Sequence, residues 1–187
     1  MAVGNDRGAQ ARQAWRVLET AERIHARADV EQALDRMALA IGAAVGQANP
    51  IVMVVLNGAL VFAGHLLPRL HFPLEVDYVH ATRYRGALTG GELSWEAGPC
   101  LPVAGRTVVL LDDILDEGVT LAALADTLRA RGAAAVLKAV LVTKRRARPE
   151  GLEADFSGLD VPDRYVFGYG MDYEGFLRNT DEIYALP

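Results

Sequence analysis

The sequence has a single cysteine, Cys100, so no disulfide can close within the chain, as suits a reducing compartment. Cys100 lies in a Gly-Pro-Cys-Leu-Pro loop with nothing beside it that would activate a thiol. The four histidines (His25, His65, His71 and His80) show neither H-E-x-x-H nor Cys/His ligand spacing, which argues against zinc. A G-x-x-x-x-G-K-[ST] phosphate loop is missing. An excess of basic residues is missing too: a net charge of −5 does not advertise a nucleic-acid partner. Met1 to Gln10 is polar and has no apolar core, so no secretory signal is visible. Ile51 to Leu67 is apolar enough to test as a membrane span, but it carries Asn57, Gly58 and His65 between Pro50 and Pro68. Its period also changes midway from a solid β-branched run to a helical one, so it reads as a strand and then a helix. These absences point to a soluble, cytoplasmic protein.

What is present is a globular composition, 51% apolar over 187 residues, enough for one domain with a substantial core. The chain is organised around Val108-Val109-Leu110-Leu111-Asp112-Asp113-Ile114-Leu115-Asp116-Glu117-Gly118-Val119-Thr120. Four apolar residues run into two acids, a third acid follows, and Leu121, Leu124, Ala125 and Leu128 then recur at helical spacing. This predicts a buried strand, a short loop and a helix N-terminus. Such a loop suits a phosphate, because its N–H groups point outward and the helix dipole favours an anion. The adjacent acids suit sugar hydroxyls, a metal or a proton. A Walker B pair, a receiver-type acid pair and a strand exit with solvated acids share parts of this pattern. The first lacks its phosphate loop, and the second needs its pair on the first strand.

Along the chain, Gln10 to His25 is expected to form a helix, and a second starts at Asp29 with Gln32 placed as in a capping box. Val30, Leu34, Met37, Ile41 and Val45 form its apolar stripe. A solid strand, Ile51 to Leu56, ends at Asn57-Gly58, as in a parallel sheet covered on both faces. A helix to about Leu70 and a strand from Leu74 to about Thr82 follow. Arg83 to Gly91 reads as a mobile loop able to close over an anion, or as an ordinary hairpin connection, with a short return strand at Glu92 to Trp95. Gly132 is placed to cap the helix after the central loop. Val136 to Thr143 is another strand, ending at Lys144-Arg145-Arg146, and Gly151 to Pro162 reads as the loose stretch. Tyr165 to Phe167 is a strand leading into a Gly-Tyr-Gly turn and Asp172. Asn57, Asp112-Asp113 and Lys144 would share the carboxyl edge of the sheet, where open α/β sheets bind ligands. By residue type alone, Lys144 also reads as a strand flank, Tyr165 as a core aromatic, Asp172 as a turn cap and Arg178 as a surface ion pair.

In their order, Val55-Leu56-Asn57-Gly58, Arg83-Tyr84, Leu111 to Thr120, Lys144 and Tyr165 to Tyr173 resemble the purine phosphoribosyltransferases of the hypoxanthine-guanine type. The likeness runs from about Ile51 to the C-terminus. The acid-rich motif marks phosphoribosyltransferases generally, whereas Lys144 and the last motif point to the 6-oxopurine branch. The resemblance implies one α/β domain over residues 1–187: N-terminal helices over 1–49, then a core over 51–187 with a mostly parallel sheet flanked by helices, a small hood of C-terminal strands and a mobile loop. It implies Mg²⁺-dependent transfer of ribose 5-phosphate from phosphoribosyl pyrophosphate (PRPP) to hypoxanthine or guanine. A xanthine-preferring enzyme and a non-catalytic PRPP-binding regulator are the alternatives.

The resemblance also implies roles. Asp116, Glu117, Gly118, Val119 and Thr120 would hold the 5-phosphate, and Asp112 and Asp113 the ribose hydroxyls, with a possible share in binding Mg²⁺. Asp116 would take the purine N7 proton. Leu56, Asn57, Gly58, Arg83, Tyr84 and Arg178 would meet pyrophosphate, with a cis peptide in the Leu56-Asn57-Gly58 loop of many relatives. Ile114, Lys144, Tyr165, Val166 and Asp172 would surround the base: Lys144 donating to O6, Tyr165 stacking, the Val166 carbonyl receiving an N–H, and Asp172 also serving Mg²⁺. A homodimer or homotetramer is implied, with no nucleic acid or membrane partner. Two positions depart from the pattern: Asn57 replaces a usual Lys or Arg, and Glu117 a usual Ser or Thr. Arg83, where Ser is common, is expected to supply the charge Asn57 lacks.

Overall fold

Ile51–Leu56 (β2) is a run of β-branched and aliphatic residues, and its first five are buried. Thr107–Leu115 (β5) and Ala135–Lys144 (β6) carry similar apolar runs, and each pairs in parallel with its neighbour. Strands buried on both faces need no polar alternation, which is why these three read so clearly. The computed structural model describes residues 6–83, 93–150 and 152–187; at 81–83 and 93–97 it describes the backbone only. Among them, Glu75–Arg83 (β3), Leu93–Ala97 (β4) and Phe156–Val161 (β7) complete a sheet of order β4-β3-β2-β5-β6-β7. Five strands are parallel and β4 is antiparallel to β3, as expected for the return strand after Glu92.

Two apolar clusters lie on opposite faces of this sheet. One joins Val52, Val54, Val109 and Leu111 to helices Arg27–Val45 (α2) and Ala59–Leu66 (α3). The other joins Met53, Val108 and Leu110 to helix Val119–Ala130 (α4). The expected stripe Val30, Leu34, Met37, Ile41 and Val45 is buried along α2. From β2 the chain turns outward through α3 to β3, and from β5 it goes the other way through α4 to β6. The crossovers therefore diverge between β2 and β5, and the loops at those two strand ends leave a crevice.

The N-terminal segment differs from expectation. Its helix is Arg7–Thr20 (α1), capped by Asp6, whose side chain accepts from the Ala9 N–H at 3.1 Å. Ala21 then turns extended, and Glu22–His25 is a strand (β1), not the last turn of that helix. It pairs antiparallel with Ile183–Ala185 (β9), which also pairs with Val166–Phe167 (β8). The hood is thus built from both chain ends, and pairing with a distant strand overrides the local helical spacing. The start of α2 is also corrected. Asp29 is not the cap; it lies inside the first turn and accepts from the Ala26 N–H at 2.9 Å.

Gly151 to Pro162 is not all loose, because β7 occupies its second half. Ser157, Gly158 and Asp160 dilute the apolar signal of that strand. Gly158 is required by packing: a methyl there would lie 2.9 Å from Met37 Sδ and 2.6 Å from the Leu141 carbonyl. The missing side chain lets α2 lie against the outer strand. No described helix is long and apolar enough to cross a membrane.

Candidate active site

A cleft of about 410 Å³ opens at the crevice between the ends of β2 and β5. Leu56, Asn57 and Gly58 line one side, Asp112 to Thr120 the other, and Asp172 and Arg178 reach in from the hood. A second cavity of about 210 Å³ shares Asp113, Ile114, Asp116 and Asp172 with it and adds Lys144, Tyr165, Val166 and Met171. The sheet edge therefore gathers the site residues expected from sequence into two joined compartments. Arg83 ends β3, but its side chain, like Tyr84 and most of the expected mobile loop, lies outside the described residues.

The loop after β5 has the form an anion needs. Gly118 caps α4 with φ +81°, a left-handed conformation that favours glycine, and a methyl there would meet the Leu152 carbonyl at 2.6 Å. Val119 and Thr120 form the first turn of α4, so their N–H groups are among those a helix start leaves unpaired. The Leu56-Asn57 peptide is cis. A methyl on Gly58 would fall 2.0 Å from Asp113 Oδ2, so Asp113 lies directly over the turn after β2.

The three acids of this segment differ sharply. Asp112 is pushed well above the usual carboxylate range by burial first and then by the charge of Asp113. Asp113 is also raised by burial, against the opposing effects of its hydrogen bond with Asp112 and the charge of Arg178. Both remain partly accessible through the cleft, so the rise comes from the protein that surrounds them on the other sides. At Asp116 burial also pushes upward, but Lys144 and Arg146 outweigh it and hold the carboxyl below its usual range. Lys144 Nζ lies 2.7 Å from Oδ2 and Arg146 Nη1 2.8 Å from Oδ1.

The hood side is also paired. Arg178 donates to Asp172 Oδ1 at 2.8 Å and to the Gly170 carbonyl at 2.7 Å, and Asp172 Oδ2 accepts from the Gly175 N–H at 2.7 Å. Tyr165 is 48% exposed, so it is a wall and not a core aromatic. Its hydroxyl donates to the Asp172 carbonyl at 3.0 Å, and its ring meets Tyr173 edge-on at 6.0 Å between centroids.

A divalent cation fits the chemistry of the cleft but would not find a finished cage. Among the described residues no three acidic, histidine or cysteine side chains form a ready metal group. Hard carboxylate oxygens are nevertheless there, and among the described residues Arg178 is the cation that acts on the Asp112-Asp113 pair, through Asp113. Such a donor set suits Mg²⁺, a hard cation that one or two carboxylates and water would hold beside phosphate oxygens.

Sequence reasoning missed Arg146, Arg148 and Met171. Arg148 donates to the Leu115 and Lys144 carbonyls at 2.7 Å and to the Asp116 carbonyl at 2.5 Å. For the two arginines the sequence signal was the basic run Lys144 to Arg148, which also reads as a solvated strand flank, whereas Met171 lies within the Tyr165 to Tyr173 motif.

A parallel sheet with its ligand crevice at the switch point, an acid pair and a phosphate loop define a nucleotide- or sugar-phosphate-handling protein. The family pattern of the phosphoribosyl transferase domain matches residues 20–174, and the chain belongs to that family. It is 34% identical over 138 residues to the hypoxanthine-guanine phosphoribosyltransferase of Bacillus subtilis (strain 168), covering 73% of this chain and 77% of that protein. It is 38% identical over 136 residues to the bifunctional protein TilS/HprT of Listeria innocua, covering 72% of this chain but only 21% of that longer protein. Among solved structures, a hypoxanthine-guanine-xanthine phosphoribosyltransferase superposes with a TM-score of 0.80 at 27% identity, covering 88% of this chain and 96% of the other.

Proposed function

We propose that the protein transfers ribose 5-phosphate from PRPP to hypoxanthine or guanine, giving the nucleoside monophosphate and pyrophosphate. One observation carries this reading: the phosphate loop and acid pair of β5 open directly into a base-sized cavity walled by Lys144, Tyr165 and Val166. The names of the Bacillus and Listeria relatives support it.

In this reading the 5-phosphate rests on the N–H groups of residues 116–120 and the Thr120 hydroxyl. Asp112 and Asp113 accept from the ribose hydroxyls and place negative charge near the anomeric carbon as it becomes cationic. The purine N9 forms a bond to that carbon, the bond to pyrophosphate breaks, and pyrophosphate leaves with the electron pair. Asp116 receives the N7 proton. Lys144 donates to O6, which selects against an adenine amino group, and Tyr165 stacks on the ring. Arg178 and the Leu56-Asn57-Gly58 turn face pyrophosphate. Mg²⁺, held by Asp172 and by Asp112 or Asp113, would offset the charge of the leaving group. For Asp172 and Arg178 to serve there, the ion pair between them has to open or be shared. Leu60 on α3 and Val76 and Tyr78 on β3 are exposed and suit a homodimer or homotetramer contact; light scattering after gel filtration tests for the expected oligomer.

The test is an initial-rate assay with PRPP and hypoxanthine, guanine, xanthine or adenine, with and without Mg²⁺. The expected result is Mg²⁺-dependent turnover of the first two bases. Preference for xanthine would favour the specificity in the third relative's name. No turnover with any base, while PRPP still binds, would leave a PRPP-binding regulator and make Asn57 and Glu117 the suspects.

A further inference from the structure

Nothing in the reaction above requires Arg146. Its place in the structure is nevertheless specific. Asp116 stands in the wall shared by the two compartments, and its two carboxylate oxygens are held by different cations. Lys144, only 13% exposed, lines the base cavity and holds Oδ2. Arg146, 35% exposed, reaches Oδ1 from outside that cavity. A 6-oxo group entering the base cavity would therefore compete for Lys144 and not for Arg146.

An exposed ion pair contributes little when both side chains are free to wander. Arg146 stands on braced backbone instead. Its N–H donates to the Lys144 carbonyl at 3.0 Å, and the Arg145 N–H donates to the Val161 carbonyl at 2.9 Å. Arg148 donates to the Arg146 carbonyl at 3.4 Å while bonding the carbonyls of Leu115, Asp116 and Lys144. Asp163 lies 3.7 Å from Arg146 and 3.9 Å from Lys144, so it faces both cations from the loop after β7. Glu117 adds a further negative charge near Arg146.

We propose that Arg146 is a positioning residue for Asp116, holding Oδ1 so that Oδ2 stays aimed at the base once Lys144 has moved to the 6-oxo group. This rests on the function proposed above. Lys144 then has two jobs in sequence, a partner of Asp116 in the empty site and a donor to the base in the filled one. Arg146 keeps the acceptor in place between them. Among the described residues the charged groups facing Asp116 are Lys144, Arg146 and Arg148, with Glu117 beside it, Asp113 and Asp172 in the same cavities and, one step out, Asp163.

The test compares Arg146→Ala and Arg146→Lys with the unaltered protein in steady-state assays with PRPP and hypoxanthine across pH. Arg146→Ala should lower kcat/KM for the base by about 10-fold, part of the 10²–10⁴ typical of a whole proton-transfer step. Its acid limb should move to higher pH, because Asp116 loses a cation that favours its ionised form. KM for PRPP should stay within about 2-fold, since Arg146 does not line the cleft proposed to hold PRPP and its loss removes no uniform binding there. Arg146→Lys should recover much of both changes. A fall in activity with no movement of the acid limb and no recovery by lysine would overturn the proposal in favour of a packing role. Unchanged kinetics in Arg146→Ala, with Asp116→Asn inactive, would also overturn it while leaving the reaction intact. Full activity in Asp116→Asn would remove the proton acceptor itself, and no turnover by the unaltered protein would remove the reaction; each takes this proposal with it, and the controls separate the cases.

Discussion

Asp112-Asp113 and Asp116 sit within five residues at the end of one strand, yet their surroundings push them in opposite directions. The pair is closed in by protein and faces its own like charge, and among the described residues Arg178 is the cation that relieves it, at Asp113. Asp116 has one cation on each oxygen. Proximity in sequence therefore says little about a carboxylate's state; what faces it across the sheet edge decides. Under the proposed function the pair would meet positive charge that arrives with a ligand, and Asp116 would lose positive charge to one.

The contrast is broken most severely at Asp116. Asp116→Asn should lower kcat by about 10²–10⁴-fold with PRPP still bound, as expected when a proton acceptor is removed. Single-turnover kinetics with hypoxanthine measure this, and full activity would show that the proton goes elsewhere. Asp112→Asn should instead weaken PRPP binding by about 10- to 100-fold, the size of a lost hydrogen bond to a charged group. The same change should raise Tm at pH 7–8, by about 2–4 °C for each kcal/mol of relieved burial and repulsion. Calorimetry and PRPP titration of that variant report both effects.

The pH dependence of stability sharpens the same comparison. The folded pKa of Asp112 is raised, so its cost is absent below the unfolded value near ~3.9 and grows as pH rises through the folded value. The gain in Tm from Asp112→Asn should therefore shrink toward zero by about pH 4. Asp116 has the opposite sign. Its folded pKa is lowered, so its stabilising pairs are in place above about pH 4 and are lost as pH falls through the folded value. Asp116→Asn should accordingly lower Tm slightly at neutral pH, and the two thermal profiles should converge at the acid end. The smallest expected effect is on pyrophosphate: Arg83→Ala should raise KM for PRPP by up to about 5-fold, the size of one weak charge contact. An unchanged KM would mean that Arg83 does not stand in for the cation missing at Asn57.

Most of the parallel sheet could be read from local pattern. The runs at Ile51–Leu56 and in the first half of Thr107–Leu115 are continuous because both sheet faces are covered, and the acids follow at the exit. The compartments were equally legible, since strand ends in such a sheet share one edge. Glu22–His25 was not, because its spacing continues a helix and only pairing with Ile183–Ala185 makes it a strand. Phe156–Val161 was hidden by the glycine that lets α2 pack on it. The bonds from Lys144 and Arg146 to Asp116 join strand ends that lie 28 and 30 residues apart, and no local spacing rule predicts them. Sequence supplied the residue types there, while their pairing depended on the tertiary register of β5 and β6.

Arg148 gives the molecule a gauge. By tying the carbonyls at the end of β5 to that at the end of β6, it fixes the offset between the loop that suits a phosphate and the pocket that suits a ring. Under the proposed function, two half-sites held at a set separation would act as a caliper: a ligand whose phosphate and ring are spanned by one ribose would fill both jaws. A shorter or longer spacer would reach only one. Selection by length would then precede selection by base, and it would belong to a guanidinium that touches neither end of the ligand.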